Sequence, residues 1–72
     1  SIYPNPATDM LYVNLPSINY SIEVINLIGE VVLKAENKFN TTSLELSNLK
    51  SGVYFLTIAS EGQQKQMKFV KL

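Results

Sequence analysis

Six carboxylates and six lysines are the charged groups from which chemistry could be built, and the chain contains no His, no Cys and no Arg. Without His or Cys, a Ser-His-Asp triad or a Cys-His pair is excluded, and a zinc site would need carboxylates alone. The acids are Asp9, Glu23, Glu30, Glu36, Glu45 and Glu61. None forms the close pair that acid–base work requires, and they read as solvated strand or turn positions. Asp9, the sole Asp, is the candidate for a catalytic or metal-binding carboxylate. A calcium site gathers several oxygens, usually clustered in sequence, and Asp9 has no such neighbours. The chemistry points away from an enzyme and from a bound metal or cofactor.

The lysines balance the acids to a net charge of zero. A nucleic-acid binder shows a basic excess and usually Arg, so that class is set aside. No apolar run approaches the ~20 residues that a membrane-spanning helix needs. The chain has 72 residues, the size of one small domain. At this size roughly 60 to 65% of the unfolded surface can be buried, and no disulfide is available to help. A core must therefore carry the fold, and 46% hydrophobic residues can supply one. The chain begins at Ser1 rather than Met and reads as part of a longer protein.

The elements that position these side chains are strands. Apolar residues fall in short runs rich in β-branched and aromatic types, with no sustained helical period. The runs are MLYVNL (10–15), YSIEVINL (20–27), EVVLKAE (30–36), SLEL (43–46), GVYFLTIAS (52–60) and KQMKFVKL (65–72). Residues 30–36 also contain helix formers, but the Val-Val-Leu segment and nearby Gly29 favour strand. Turn signals separate the runs: LPSIN (15–19), IGE (28–30), NKFNTTS (37–43), LKSG (49–52) and SEGQQ (60–64). Gly62 suits a tight hairpin that pairs the last two runs. The most apolar run, 52–60, should be central. These features predict an all-β fold, a small antiparallel β-sandwich of six short strands. Leu11, Val13, Ile22, Val24, Leu44, Leu46, Tyr54, Leu56 and Ile58 should fill its core.

The opening SIYPNPATDML precedes this pattern. Pro4 and Pro6 lack an amide hydrogen and cannot extend an interior ladder, and they push Tyr3 and Asn5 toward extended backbone. Asn5 suits an Asx-turn across Pro6, and the Thr8 and Asp9 side chains can accept amide hydrogens from the same turn. This is a rigid lead-in to the first long strand.

Four motifs in order carry a family resemblance: Pro4-Asn5-Pro6 near the start, Gly29 in a mid-chain turn, Leu49 through Gly52 to Tyr54, and Lys68-Phe69-Val70-Lys71 before the terminal Leu72. Together they resemble the type A C-terminal sorting domain of the type IX (Por) secretion system of Bacteroidetes, over essentially the whole chain. Asn26, where relatives often carry an acidic or another polar residue, is read as a variable surface position.

The resemblance implies an Ig-like sandwich of about six to seven strands, and a function as an address rather than a catalyst. It implies a cargo in the same chain before Ser1, which crosses the inner membrane by its own signal peptide and folds in the periplasm. An outer-membrane translocon then recognises the sorting domain. A sortase-like peptidase commonly removes it, leaving the cargo on the cell surface or outside the cell. The expected form is a monomer that does not span a membrane. Gly52 is expected as a turn glycine, and Tyr54 as a core aromatic whose hydroxyl finds a partner. In the last strand, Met67 and Phe69 should face one side and Lys68, Val70 and Leu72 the other. Its lysines can guard an edge against unwanted pairing, or present that edge to a receptor by strand addition or charge. Lys68, Phe69, Val70, Lys71 and Leu72 are the candidate recognition residues. The alternative is a carbohydrate-binding or adhesive β-sandwich appended to an extracellular enzyme. That needs an exposed aromatic platform, and the chain has no Trp.

Overall fold

Alternating apolar residues bury one face of each strand, and the computed structural model, which describes residues 2–72, is built from such strands. They are β1 (Ile2–Tyr3), β2 (Met10–Ile25), β3 (Val31–Glu45), β4 (Gly52–Ser60) and β5 (Gln63–Lys71). All ladders are antiparallel and join in one sheet of order β1-β2-β4-β5, with β3 on β2.

The fold is an all-β antiparallel sandwich, as expected, but its five strands are fewer than the predicted six to seven. Runs 10–15 and 20–27 belong to one strand, and so do runs 30–36 and 43–46. A straight strand rises about 3.3 Å per residue, or roughly 50 Å for the length of β2. The longest dimension of the molecule is only 31 Å, so β2 and β3 must fold over. They do so together. Pairing runs to Leu15↔Asn40, shifts register, and resumes at Asn19↔Phe39. Ser17, Asn37 and Asn40 take positive φ at this bend, a conformation that Asn tolerates better than most residues. The segments LPSIN and NKFNTTS are thus bends within continuous strands and not turns between strands. Turn chemistry marked a backbone conformation correctly but did not mark the end of pairing.

The two halves close on one core. The first half of β2 pairs with β1 and the end of β3, and its second half pairs with the start of β3 and with β4. All nine residues named from the sequence are buried, and Ala7, Tyr20 and Phe69 join them. β4 lies between β2 and β5, central as its composition predicts. The bend is held by polar groups. The buried Tyr20 hydroxyl donates to the Asn40 carbonyl (2.8 Å) and meets the Thr42 hydroxyl (2.6 Å). The Ser17 amide donates to Asn40 Oδ1 (2.7 Å).

Two tight connections complete the sandwich. Ser60↔Gln63 closes β4 and β5 across Glu61 and Gly62, both at positive φ, which suits a two-residue hairpin. Between β2 and β3, Asn26 organises the turn that contains Gly29. Its Oδ1 accepts from the Ile28 and Glu30 amides (3.1 and 2.9 Å), and its Nδ2 donates to Glu30 Oε1 (2.9 Å). Asn26 is therefore a structural residue, because its amide satisfies the backbone of a turn whose tip, Leu27-Ile28, has no polar side chain.

Candidate functional site

The last strand is positioned by β4, which pairs with it at every residue from Gln63 to Lys71. In an antiparallel pair, alternate residues bond the partner and the others turn their N–H and C=O groups away. The Ser60↔Gln63 closing pair puts odd-numbered residues of β5 toward β4 in hydrogen bonding. Gln64, Gln66, Lys68, Val70 and Leu72 therefore turn their backbone groups to the outer edge.

The opening stretch covers the end of that edge. The Ala7 amide donates to the Val70 carbonyl and the Leu72 amide donates to the Ala7 carbonyl, each at 2.8 Å. Asn5 extends the contact with its side chain: Nδ2 donates to the Lys68 carbonyl (3.3 Å), and Oδ1 accepts from the Val70 amide (3.1 Å). A primary amide carries the same donor and acceptor as a peptide group, so Asn5 between Pro4 and Pro6 substitutes for a strand residue. Ala7 and Lys71 form a parallel bridge, and Ala7 is fully buried. Residues 5–7 are a clasp on the last strand.

This arrangement corrects the expected turn. Asn5 does not close an Asx-turn across Pro6, because both ends of its amide are engaged by β5. Thr8 and the exposed Asp9 make no side-chain hydrogen bond to another described residue. Asp9 contributes its carbonyl, which accepts from the Leu46 amide (2.7 Å). The Ala7 amide that such a turn would use is taken instead by the Val70 carbonyl. It also corrects the idea of a free terminal edge. From Lys68 C=O to Leu72 N–H the edge is occupied, while among the described residues Gln64, Gln66 and the Lys68 amide have no strand beside them on that edge.

The side chains of β5 divide as the alternation predicts. Met67, Phe69 and Lys71 turn inward and Lys68, Val70 and Leu72 outward. Phe69 is fully buried and Lys68 and Leu72 are exposed. Lys71 is not an exposed lysine: it is only 9% accessible. Its register places it beside the core, and its Nζ donates to the Leu72 carbonyl (3.2 Å).

The remaining motif residues brace this strand. Gly52, paired with Lys71, has φ +153°, and a side chain there would meet no atom within 4 Å. The constraint is the backbone conformation itself, which other residues rarely adopt. The Tyr54 hydroxyl donates to the Lys50 carbonyl (2.6 Å), pinning the 46–51 connection. Its ring stacks on Phe69, with centroids 5.7 Å apart and an interplanar angle of 22°. The Leu49–Tyr54 motif thus supports the last strand from below. On the other half of the sandwich, Tyr3 and Tyr12 face each other across the β1–β2 register and stack at 5.5 Å.

The profile of the secretion system C-terminal sorting domains matches residues 1–72. The chain belongs to that family. It is a sorting signal of the type IX (Por) secretion system, a non-catalytic kind of domain. A curated relative is the endo-acting ulvan lyase of Formosa agariphila, 28% identical over 71 residues that span 93% of this chain and 13% of the lyase. Among solved structures, PorZ, an essential bacterial surface component of the type IX secretion system of Porphyromonas gingivalis, superposes with a TM-score of 0.84. That match has 17% identity and covers all of this chain and 11% of PorZ, and it shows a shared fold. The sorting domain therefore spans a small part of the length of each protein it matches.

Three of its structural residues carried weak sequence signals. Ala7 is a small residue in a polar, proline-rich stretch, Tyr20 follows a turn-like segment, and Asn26 stands next to two apolar residues. An Asn three positions before a turn Gly is the one signal that could have identified Asn26.

Proposed function

We propose that the outer-membrane translocon of the type IX system reads this domain through the outward face of its last strand, Lys68, Val70 and Leu72. Phe69 and Lys71 hold that face in place from beneath. The observation that supports this reading is that an exposed lysine on the strand and an exposed Leu directly after it are held in place by Phe69 and Tyr54, which anchor the strand to the core. Residues 1–72 act as one unit, a monomer at the end of a longer secreted protein, with the cargo preceding Ser1. The route runs through the periplasm to the cell surface or beyond, with a sortase-like peptidase cutting at the N-terminal boundary. No nucleic acid and no cofactor takes part.

The test is export of a periplasmic reporter fused ahead of residues 1–72, in a host with the type IX machinery. The reporter should reach the outside, and deletion of residues 68–72 should hold it in the periplasm. Because that deletion also removes Phe69 from the core, Lys68→Gln is the cleaner variant. It is exposed and should leave stability within about 0.5 kcal/mol. Lys71→Gln is not equivalent, since Lys71 is buried. Normal export of Lys68→Gln would reject docking by charge, and normal export of the deletion would reject docking through this strand.

The alternative of a carbohydrate-binding module has one observation in its favour, the half-exposed Tyr3 on Tyr12. The stack covers one face of each ring, so it offers a sugar a single tyrosine face and no wider aromatic platform. A glycan affinity lost in Tyr3→Ala would support that module.

A further inference from the structure

The clasp occupies backbone groups that strand addition to β5 would use. We propose that the outer edge from Lys68 to Leu72 is a docking edge for an extended polypeptide segment of the receptor, running parallel to β5, and that this segment takes its place by displacing residues 5–7. The proposal rests on the last strand being the recognition element.

The chain's own clasp shows what fits. It donates to the Lys68 and Val70 carbonyls and accepts from the Val70 and Leu72 amides. A partner strand offers that same pattern from its backbone alone, with no need of an Asn side chain. The bridge to Lys71 is parallel, which sets the direction. Ala7 is completely buried, which sets the side chain: the position opposite Lys71 takes a small residue.

The clasp is also built to leave. Pro4, Asn5 and Pro6 are exposed, and Ala7 alone of the segment reaches the core. Pro4 and Pro6 have no N–H and give the clasp no ladder of its own. Its release uncovers Ala7's small contact while β2, β4 and β5 keep their pairing. Gln64 and Gln66, already open beside it, extend the edge that an arriving strand would meet first.

Hydrogen exchange on the whole chain gives the first test. The Val70 and Leu72 amides, held by the clasp, should exchange at least tenfold faster than the Leu56 amide within β4. Equal protection of all three would show that the clasp opens only with the core and would overturn the proposal. The second test uses a labelled peptide of residues 2–9 as the arriving strand. Ala7→Asp places a charge at a buried position and should release the clasp. The peptide should then bind this variant at least tenfold more tightly than the unaltered chain, and a peptide with Leu in place of Ala7 should lose that binding. Asn5→Ala, which removes two clasp bonds and no core atom, should show the same order with a smaller gain. Binding that ignores the Ala-to-Leu change, or absence of binding to Asn5→Ala, would overturn the proposal. In the export assay, folded Asn5→Ala should leave the cell at least as fast as the unaltered chain; slower export would count against displacement. A retained unaltered reporter would instead refute the recognition reading, leaving the peptide result standing.

Discussion

The inner edge of β5 meets β4 across a two-residue hairpin, whereas its outer edge meets Asn5, whose partners lie 63 and 65 positions along the chain. The inner hydrogen-bonded ladder is local, continuous and made by backbone groups. The outer contact is remote, short and half made by a side chain. Closing a longer loop costs more chain entropy, though only logarithmically, so distance does not forbid the clasp. The difference lies in redundancy. Nine register pairs support the inner edge, and loss of one leaves the rest. The outer edge rests on one amide and one alanine.

Substitutions can break this contrast at graded cost. Phe69→Ala empties a fully buried site between both edges and should cost about 3–5 kcal/mol in urea unfolding. Gly62→Ala strains the hairpin of the inner edge at φ +78° and should cost about 1–2 kcal/mol. Asn5→Ala removes the two exposed side-chain bonds of the outer edge and should cost about 1 kcal/mol, with the Val70 amide losing protection first. Asp9→Ala serves as the control. Its side chain has no described partner and its role is a carbonyl, so stability should change by less than about 0.5 kcal/mol. A loss as large as that of Gly62→Ala would mean that the lead-in holds the fold through contacts other than the clasp.

The inner edge was legible in the sequence and the outer edge was not. Alternation within GVYFLTIAS and KQMKFVKL identifies the buried side of each strand, and Gly62 identifies their turn, because both signals are local and periodic. Tyr54 was legible for the same reason. The clasp has no period. Asn5 beside Pro6 looks like turn chemistry at any distance, and only the fold reveals that its amide faces β5. Lys71 misleads because charge usually marks a surface, yet its register sets it beside the core, where only its stem needs burial. The bends at Ser17, Asn37 and Asn40 were visible as irregularities. Whether an irregularity ends a strand or folds it depends on what pairs on either side, which a single run does not contain. Of the proposed recognition face, the outward direction of Lys68 and Leu72 was readable, while the occupied edge beside them was not.

The parallel bridge between Ala7 and Lys71 also has a mechanical consequence. A pull on the two ends of the domain draws the clasp and the last strand lengthwise in opposite directions. Their hydrogen bonds are then loaded side by side in shear, instead of being peeled open one after another as at a hairpin end. Single-molecule stretching from residues 2 and 72 would register this as a force peak that Asn5→Ala lowers. The same few bonds that a competing strand could replace one by one in solution would thus act as a tether under tension, resisting a machine that drags the chain by its end.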